Sequence, residues 1–243
     1  MALTDGLLSW WPLDESSGAS RADSVGGRTL SDIGTVDAAA GKIGNAASFS
    51  GGDYLRKTPQ LSGLEGLGAA SFSCWVYRTA GGVFWLWAAL NNSSGGVCYL
   101  LGVNANLRMY VGGDYGEMAS AMPLNTWAHI VFVFDGSQSG NSGRLVGYLD
   151  GVAQTLSYSG TIGTAFPPVD GGGSSAVMIG SLSGGSYYTG LVDLFGYWNR
   201  ALSSAEVSQL YNAGAGFDYP FIAAGKGLPV IAHHHAQVFG AGA

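Results

Sequence analysis

Apolar residues recur along this chain in short runs broken by glycine, asparagine and serine. "SFSCWVYR" (Ser71 to Arg78), "VFWLWAAL" (Val83 to Leu90), "VCYLLGV" (Val97 to Val103), "LRMYVGG" (Leu107 to Gly113), "HIVFVFD" (His129 to Asp135) and "RLVGYLDG" (Arg144 to Gly151) are rich in aromatic and branched residues. Their length and composition predict β-strands. Many short strands at this spacing are the pattern of a sandwich or barrel. In "TWAHIVFVFDG" both alternations are apolar, with Ile130, Phe132 and Phe134 on one side and Val131 and Val133 on the other. That predicts a central strand covered on both faces. In "LRMYVGG" Leu107, Met109 and Val111 share one face and Arg108 and Tyr110 the other; strict alternation in "VFWLWAAL" sets Trp85 and Trp87 together, opposite Phe84, Leu86 and Ala88. Asp150-Gly151 between two extended runs predicts a type I′ hairpin, whose two central residues both need positive φ.

A period of 3.6 appears once. Ser203 is a suitable N-cap, Glu206 completes a capping box, Val207, Leu210 and Tyr211 form an apolar stripe, and Gly214 stands where a helix ends. A helix this short needs a sandwich to pack on.

Composition agrees with a packed β-fold. Of 243 residues 47% are hydrophobic and 12% aromatic, enough to order a core, and the 41 glycines suit many tight turns. Ten Lys and Arg against sixteen acids give a net charge of -6 and no basic stripe, which argues against nucleic acid as a partner. No run of 18 or more apolar residues occurs, and "MALTDGLLSWWPLDE" lacks the basic and long apolar regions of a secretory signal. The expectation is a chain neither inserted in a membrane nor exported by a standard signal. Cys74 and Cys98 fall in strand-like segments that could be neighbours; two buried thiols suit a reducing compartment better than a disulfide.

Seven segments occur in an order that resembles the laminin G-like, concanavalin A-like jelly-roll domains. They are "LLSWWPLDESSGASRADSVGG", "GKIGNAASFSGGDYL", "SFSCWVY", "NTWAHIVFVFDG", "GYLDGV", "MIGS" and "YTGLVDLFGYWNRALSSAEVSQLYNAG", spanning about Leu7 to Gly214. The resemblance implies an all-β fold of two stacked antiparallel sheets, closed by a final strand and one short C-terminal helix. The expected organisation is a jelly roll over residues 1–214 and an extended tail over 215–243. Domains of this kind serve as carbohydrate-binding modules, adhesion domains, hydrolase appendages and virion parts, so the resemblance alone implies a binding module.

Three chemistries follow. Hydrolysis needs paired carboxylates, and no strand carries them; Glu117 has only Asp114 near it and Glu65 is isolated. His129, the one histidine within 1–214, sits at a strand start among packing residues, so the expectation is no enzyme. The resemblance implies calcium at a sandwich edge, with Asp23 and Asp193 as the matching acids and carbonyls near Ser24 and Gly26 as completions; the alternative is that both carboxylates bond to backbone. A sugar site would use Trp85, Trp87, Tyr110 and Arg108, against the alternative that the tryptophans are core or interface residues.

The tail is too apolar for a free linker. Phe217, Tyr219, Phe221, Ile222, Leu228, Val230, Ile231, Val238 and Phe239 are its candidate partner-binding residues, covered by sister subunits or another assembly protein. His233, His234 and His235 are read as solvated or interface residues, two imidazoles at most facing one way. A fold usually found outside cells, no secretion signal and an anchoring tail together point to a structural protein of a phage-like virion. The alternative is a carbohydrate-binding module of a bacterial surface or secreted protein.

Overall fold

The alternating segments assemble into two antiparallel sheets of eight strands each. The first runs in the order β13 (Val152–Gln154), β12 (Leu145–Leu149), β11 (Trp127–Asp135), β6 (Ala69–Arg78), β16 (Thr189–Trp198), β4 (Asn45–Ser50) and β3 (Asp37–Ala40), and β1 (Leu7–Trp11) also pairs with β16. The second runs β14 (Leu156–Ser159), β10 (Asp114–Met118), β9 (Asn106–Val111), β8 (Gly96–Val103), β7 (Val83–Leu90), β15 (Ala176–Ile179), β5 (Tyr54–Lys57) and β2 (Ser31–Ile33). This structure, a computed structural model, describes residues 1–58, 62–90, 96–168, 176–181 and 186–222, with backbone alone for residues 90 and 96–98.

The two-sheet sandwich that the resemblance implied is present. Its main core lies between the sheets, where Phe72, Trp87, Phe132, Phe134, Phe195 and Tyr197 are fully buried. β11 is covered on both faces: Ile130, Phe132 and Phe134 enter this core, whereas Val131 and Val133 enter a second one on the outer side of the first sheet. The second core exists because α2 (Ser204–Tyr211), which follows the single turn α1 (Asn141–Arg144), lays Val207 and Leu210 there. Ser203 accepts the Glu206 amide and Glu206 returns to the Ser203 amide, the expected capping box. Arg200 holds the same Glu206 carboxylate through two nitrogens, and although burial opposes ionisation this pairing keeps Glu206 down to about 2. The helix stop differs from the sequence reading: Asn212, at φ 49°, takes the left-handed cap, and Gly214 ends the 3-10 turn that follows. Asp150 and Gly151 both have positive φ, as the hairpin requires.

The packed domain continues beyond Gly214. Phe217, Tyr219 and Phe221 pack on the second core, Phe221 meets the Trp10 ring edge-on at 4.9 Å, and Asp218 accepts the Trp10 indole N–H at 2.7 Å. These three candidate partner residues are therefore partly buried against their own chain, beside Trp10 of β1. Ile222 is exposed. Leu228, Val230, Ile231, Val238, Phe239 and the three tail histidines lie outside the described residues. Cys74 is free and buried on β6, in a different sheet from Cys98 on β8.

Candidate functional site

The outward face of the second sheet carries a row of aromatic rings. On β8, β9 and β10, Tyr99, Tyr110 and Tyr115 stand opposite one another in register. Rings on neighbouring strands touch by geometry alone, since strands lie about 4.8 Å apart. Tyr99 and Tyr110 stack at 4.2 Å, Tyr110 and Tyr115 approach to 4.8 Å, and Trp85 of β7 meets Tyr99 at 4.9 Å and 70°. One step along the strands, Arg108 pairs with Glu117 and lies 4.5 Å from the Tyr115 ring centre. All six side chains are half-buried.

This row keeps three of the residues expected from sequence, Trp85, Arg108 and Tyr110, and corrects the fourth. Trp87 is fully buried against Phe72, Phe195 and Tyr197. The register of β7 against β8 shifts between Trp85 and Trp87, so Leu86 and Trp87 both turn inward. A bulge of one residue moves every later side chain to the opposite face. The partner strand accommodates the crowding with Gly102, where a Cβ would lie within 2.0 Å of the Phe84 ring. Tyr99 and Tyr115, absent from the sequence reading, were signalled there only by aromatic residues at strand positions whose register was unknown.

The two candidate calcium ligands have separate partners. Asp23 accepts four backbone amides, those of Trp10, Val25, Gly26 and Arg28, at 2.9–3.0 Å, which is the loop-stapling alternative. Asp193 is fully buried where β16 bulges; its Oδ2 accepts the Lys42 and Ile43 amides at 2.6 and 3.1 Å, and its Oδ1 has no hydrogen-bond partner among the described residues. Among the described residues no three His, Cys, Asp or Glu side chains are close enough to hold a metal ion together. Burial, together with the charge of Asp14, pushes the Asp193 carboxyl up to about 7 despite the amides.

That shift has a signed consequence. Between the ordinary carboxylate range and pH 7 the folded chain holds a proton at Asp193 that the unfolded chain lacks, so this group favours folding most at the acid end and loses that contribution as pH rises to 7. In EDTA, the stability of Asp193→Asn relative to wild type is expected to fall by about 1 kcal/mol per unit as pH drops from 7 to 4.5. Urea unfolding at four pH values measures it, and a pH-independent difference would show that Asp193 ionises freely.

Among the described residues, catalytic groups do not converge. His129 Nε2 lies 2.9 Å from Ser73 Oγ, a pairing that the sequence did not reveal. Burial lowers His129 to about 3, and the Trp75 and Tyr211 rings pack beside it, so the pair has no access to a substrate. Glu65 is taken by Ser62 and Gly63, and Glu117 by Arg108. The cavity between the N-terminus and the 215–222 segment, about 260 Å³ and lined by Leu3, Gln209, Phe217 and Phe221 among others, carries no ionisable side chain.

Residues 49–208 match the model of the concanavalin A-like lectin/glucanases superfamily of the laminin G type. The chain belongs to this superfamily. No curated protein matches it. Solved structures show the same fold at low identity. Domain 4 of AbnA, an extracellular arabinanase of Geobacillus stearothermophilus in complex with arabinotriose, is 21% identical with a TM-score of 0.62, over 86% of this chain and 98% of that one. The binding domain of Paraclostridial Mosquitocidal Protein 1 is 15% identical with a TM-score of 0.63, over 86% of this chain and 52% of that one. Trypanosoma rangeli sialidase is 18% identical with a TM-score of 0.59, over 88% of this chain and only 34% of its own length. The chain is a jelly-roll lectin/glucanase-like binding domain, and among its described residues no helix is long and apolar enough to cross a membrane.

Proposed function

We propose that this chain is a non-enzymatic domain that binds a glycan on the outward face of its second sheet, at Trp85, Tyr99, Arg108, Tyr110 and Tyr115. The half-buried ring row carries the reading: four aromatic side chains over four adjacent strands form a surface of the composition found in recognition sites. The arabinotriose complex of a domain with this fold supports the ligand class. A shallow single site binds weakly, around millimolar, and gains a factor of about 10² to 10⁴ by repeated display. On a glycan array the bead-coupled chain is therefore expected to bind, and Trp85→Ala to abolish binding while folding normally. Absence of binding, or binding indifferent to Trp85, would remove the proposal.

Repeated display is also the reason to place the domain on a phage-like virion, attached to sister subunits or other particle proteins through residues 223–243. The apolar positions Leu228, Val230, Ile231, Val238 and Phe239 support that attachment, and a bacterial surface protein is the alternative setting. Calcium is a separate part of the proposal, centred on the unpartnered Asp193 Oδ1 with backbone carbonyls and water as further donors. Calcium should raise the melting temperature of the wild type and leave Asp193→Asn unchanged; a wild type indifferent to calcium and EDTA removes the ion.

A further inference from the structure

We propose, resting on the glycan reading above, that the ligand is an uncharged linear oligosaccharide lying across the strands from Trp85 to Tyr115. Three features of the row lead there.

The first is direction. Trp85, Tyr99, Tyr110 and Tyr115 belong to four successive strands, so a ligand laid along any one strand meets a single ring. A ligand laid across them meets all four over three strand spacings, about 14 Å, the length of a trisaccharide.

The second is the kind of surface each ring offers. Tyr99 and Tyr110 stack at 28°, so their inner faces are occupied by one another and the row presents ring edges. A tyrosine rising from a sheet carries its hydroxyl at the end far from the backbone, so these edges offer donors and acceptors to sugar hydroxyls. Trp85 meets Tyr99 at 70°, which leaves at least one indole face outside the stack for the apolar face of one sugar ring. A platform at one end and a line of hydroxyls beyond it suit a linear chain better than a branched terminus.

The third is charge. The Arg108 guanidinium donates to Glu117, and the two side chains are only 23% and 18% exposed, so the row carries no net charge. A ligand carboxylate would lose water here without an unpaired cation to replace it. The next outward cation in register is Arg56 on β5, three strands from Tyr99 beyond the buried Ala88 and Met178. Neutral sugars lose less on entering.

Isothermal titration of the full chain with cello- and arabino-oligosaccharides of one to five units, and with trigalacturonate, tests this. Affinity should rise about tenfold from monomer to trimer and then level off, with trigalacturonate about tenfold weaker than the neutral trimers. Tyr110→Phe keeps the stack and removes one hydroxyl, and should weaken the better neutral trimer about tenfold. Glu117→Gln frees Arg108 and should strengthen trigalacturonate alone. Trigalacturonate binding as well as the neutral trimers, or affinity still climbing at five units, would overturn the ligand class while leaving glycan binding intact. If no oligosaccharide binds, the function itself falls, and if neutral trimers bind Tyr110→Phe and Trp85→Ala as they bind wild type, the row is not their site.

Discussion

Trp87→Ala is expected to lower the stability of the domain by about 3–5 kcal/mol, while Trp85→Ala, two positions away on the same strand, lowers it by less than about 1. The two tryptophans belong to different layers. Trp87 fills the space between the sheets with Phe72 at 4.9 Å, Tyr197 at 5.5 Å and Phe195 at 5.8 Å, and removing it leaves a cavity that these rigid rings cannot close. Among the described residues Trp85 has one ring neighbour, Tyr99, and its side chain is half-buried. Its loss should act on ligand binding and scarcely on folding. Urea titrations of both variants decide the matter. Equal destabilisation would mean that β7 runs without its bulge and that both rings share one face.

The second large effect concerns where the domain ends. A chain stopped at Ile222 should keep nearly all of its stability, whereas one stopped at Gly214 should lose about 3–5 kcal/mol, enough to unfold a marginal domain at physiological temperature. Stopping at Gly214 strips Phe217, Tyr219 and Phe221 from the second core and removes Phe221 and the Asp218 carboxylate from Trp10, which leaves its ring and its indole N–H without those partners. Thermal melts of the two truncated chains separate these cases. The Ile222 chain also tests attachment: it should stay folded and monomeric by light scattering while failing to join particles. If it assembles as the full chain does, residues 223–243 are not the anchor.

The fold was legible because period-two patterning survives whatever the strands pack against. "LRMYVGG" announced its own faces, and the structure buries Leu107, Met109 and Val111 while leaving Arg108 and Tyr110 half-open. β11 announced its two covered faces through Ile130 and Val131 alike. The capping box at Ser203 and the hairpin at Asp150 were legible because each is set locally, the first by side chains that bond the backbone three residues away and the second by two adjacent residues that tolerate positive φ. The candidate site was half legible. Trp87 went astray because a bulge leaves no mark in "VFWLWAAL", and its trace on the partner strand, Gly102 beneath Phe84, has meaning only once the register is known. Tyr99 and Tyr115 could not be joined to Tyr110 for the same reason: cross-strand neighbours are fixed by pairing. Asp218 and Phe221 read as an apolar tail because nothing in sequence shows that Trp10, more than 200 residues earlier, requires a cover.

The most direct test of the ring row as ligand surface is an NMR titration of the full chain with arabinotriose, following the aromatic side-chain signals. The expected result is progressive shifts at Trp85, Tyr99, Tyr110 and Tyr115, with Trp10, Trp75 and the loop around Asp193 unmoved. Shifts confined to the Asp23 or Asp193 loops, with the four rings silent, would contradict it.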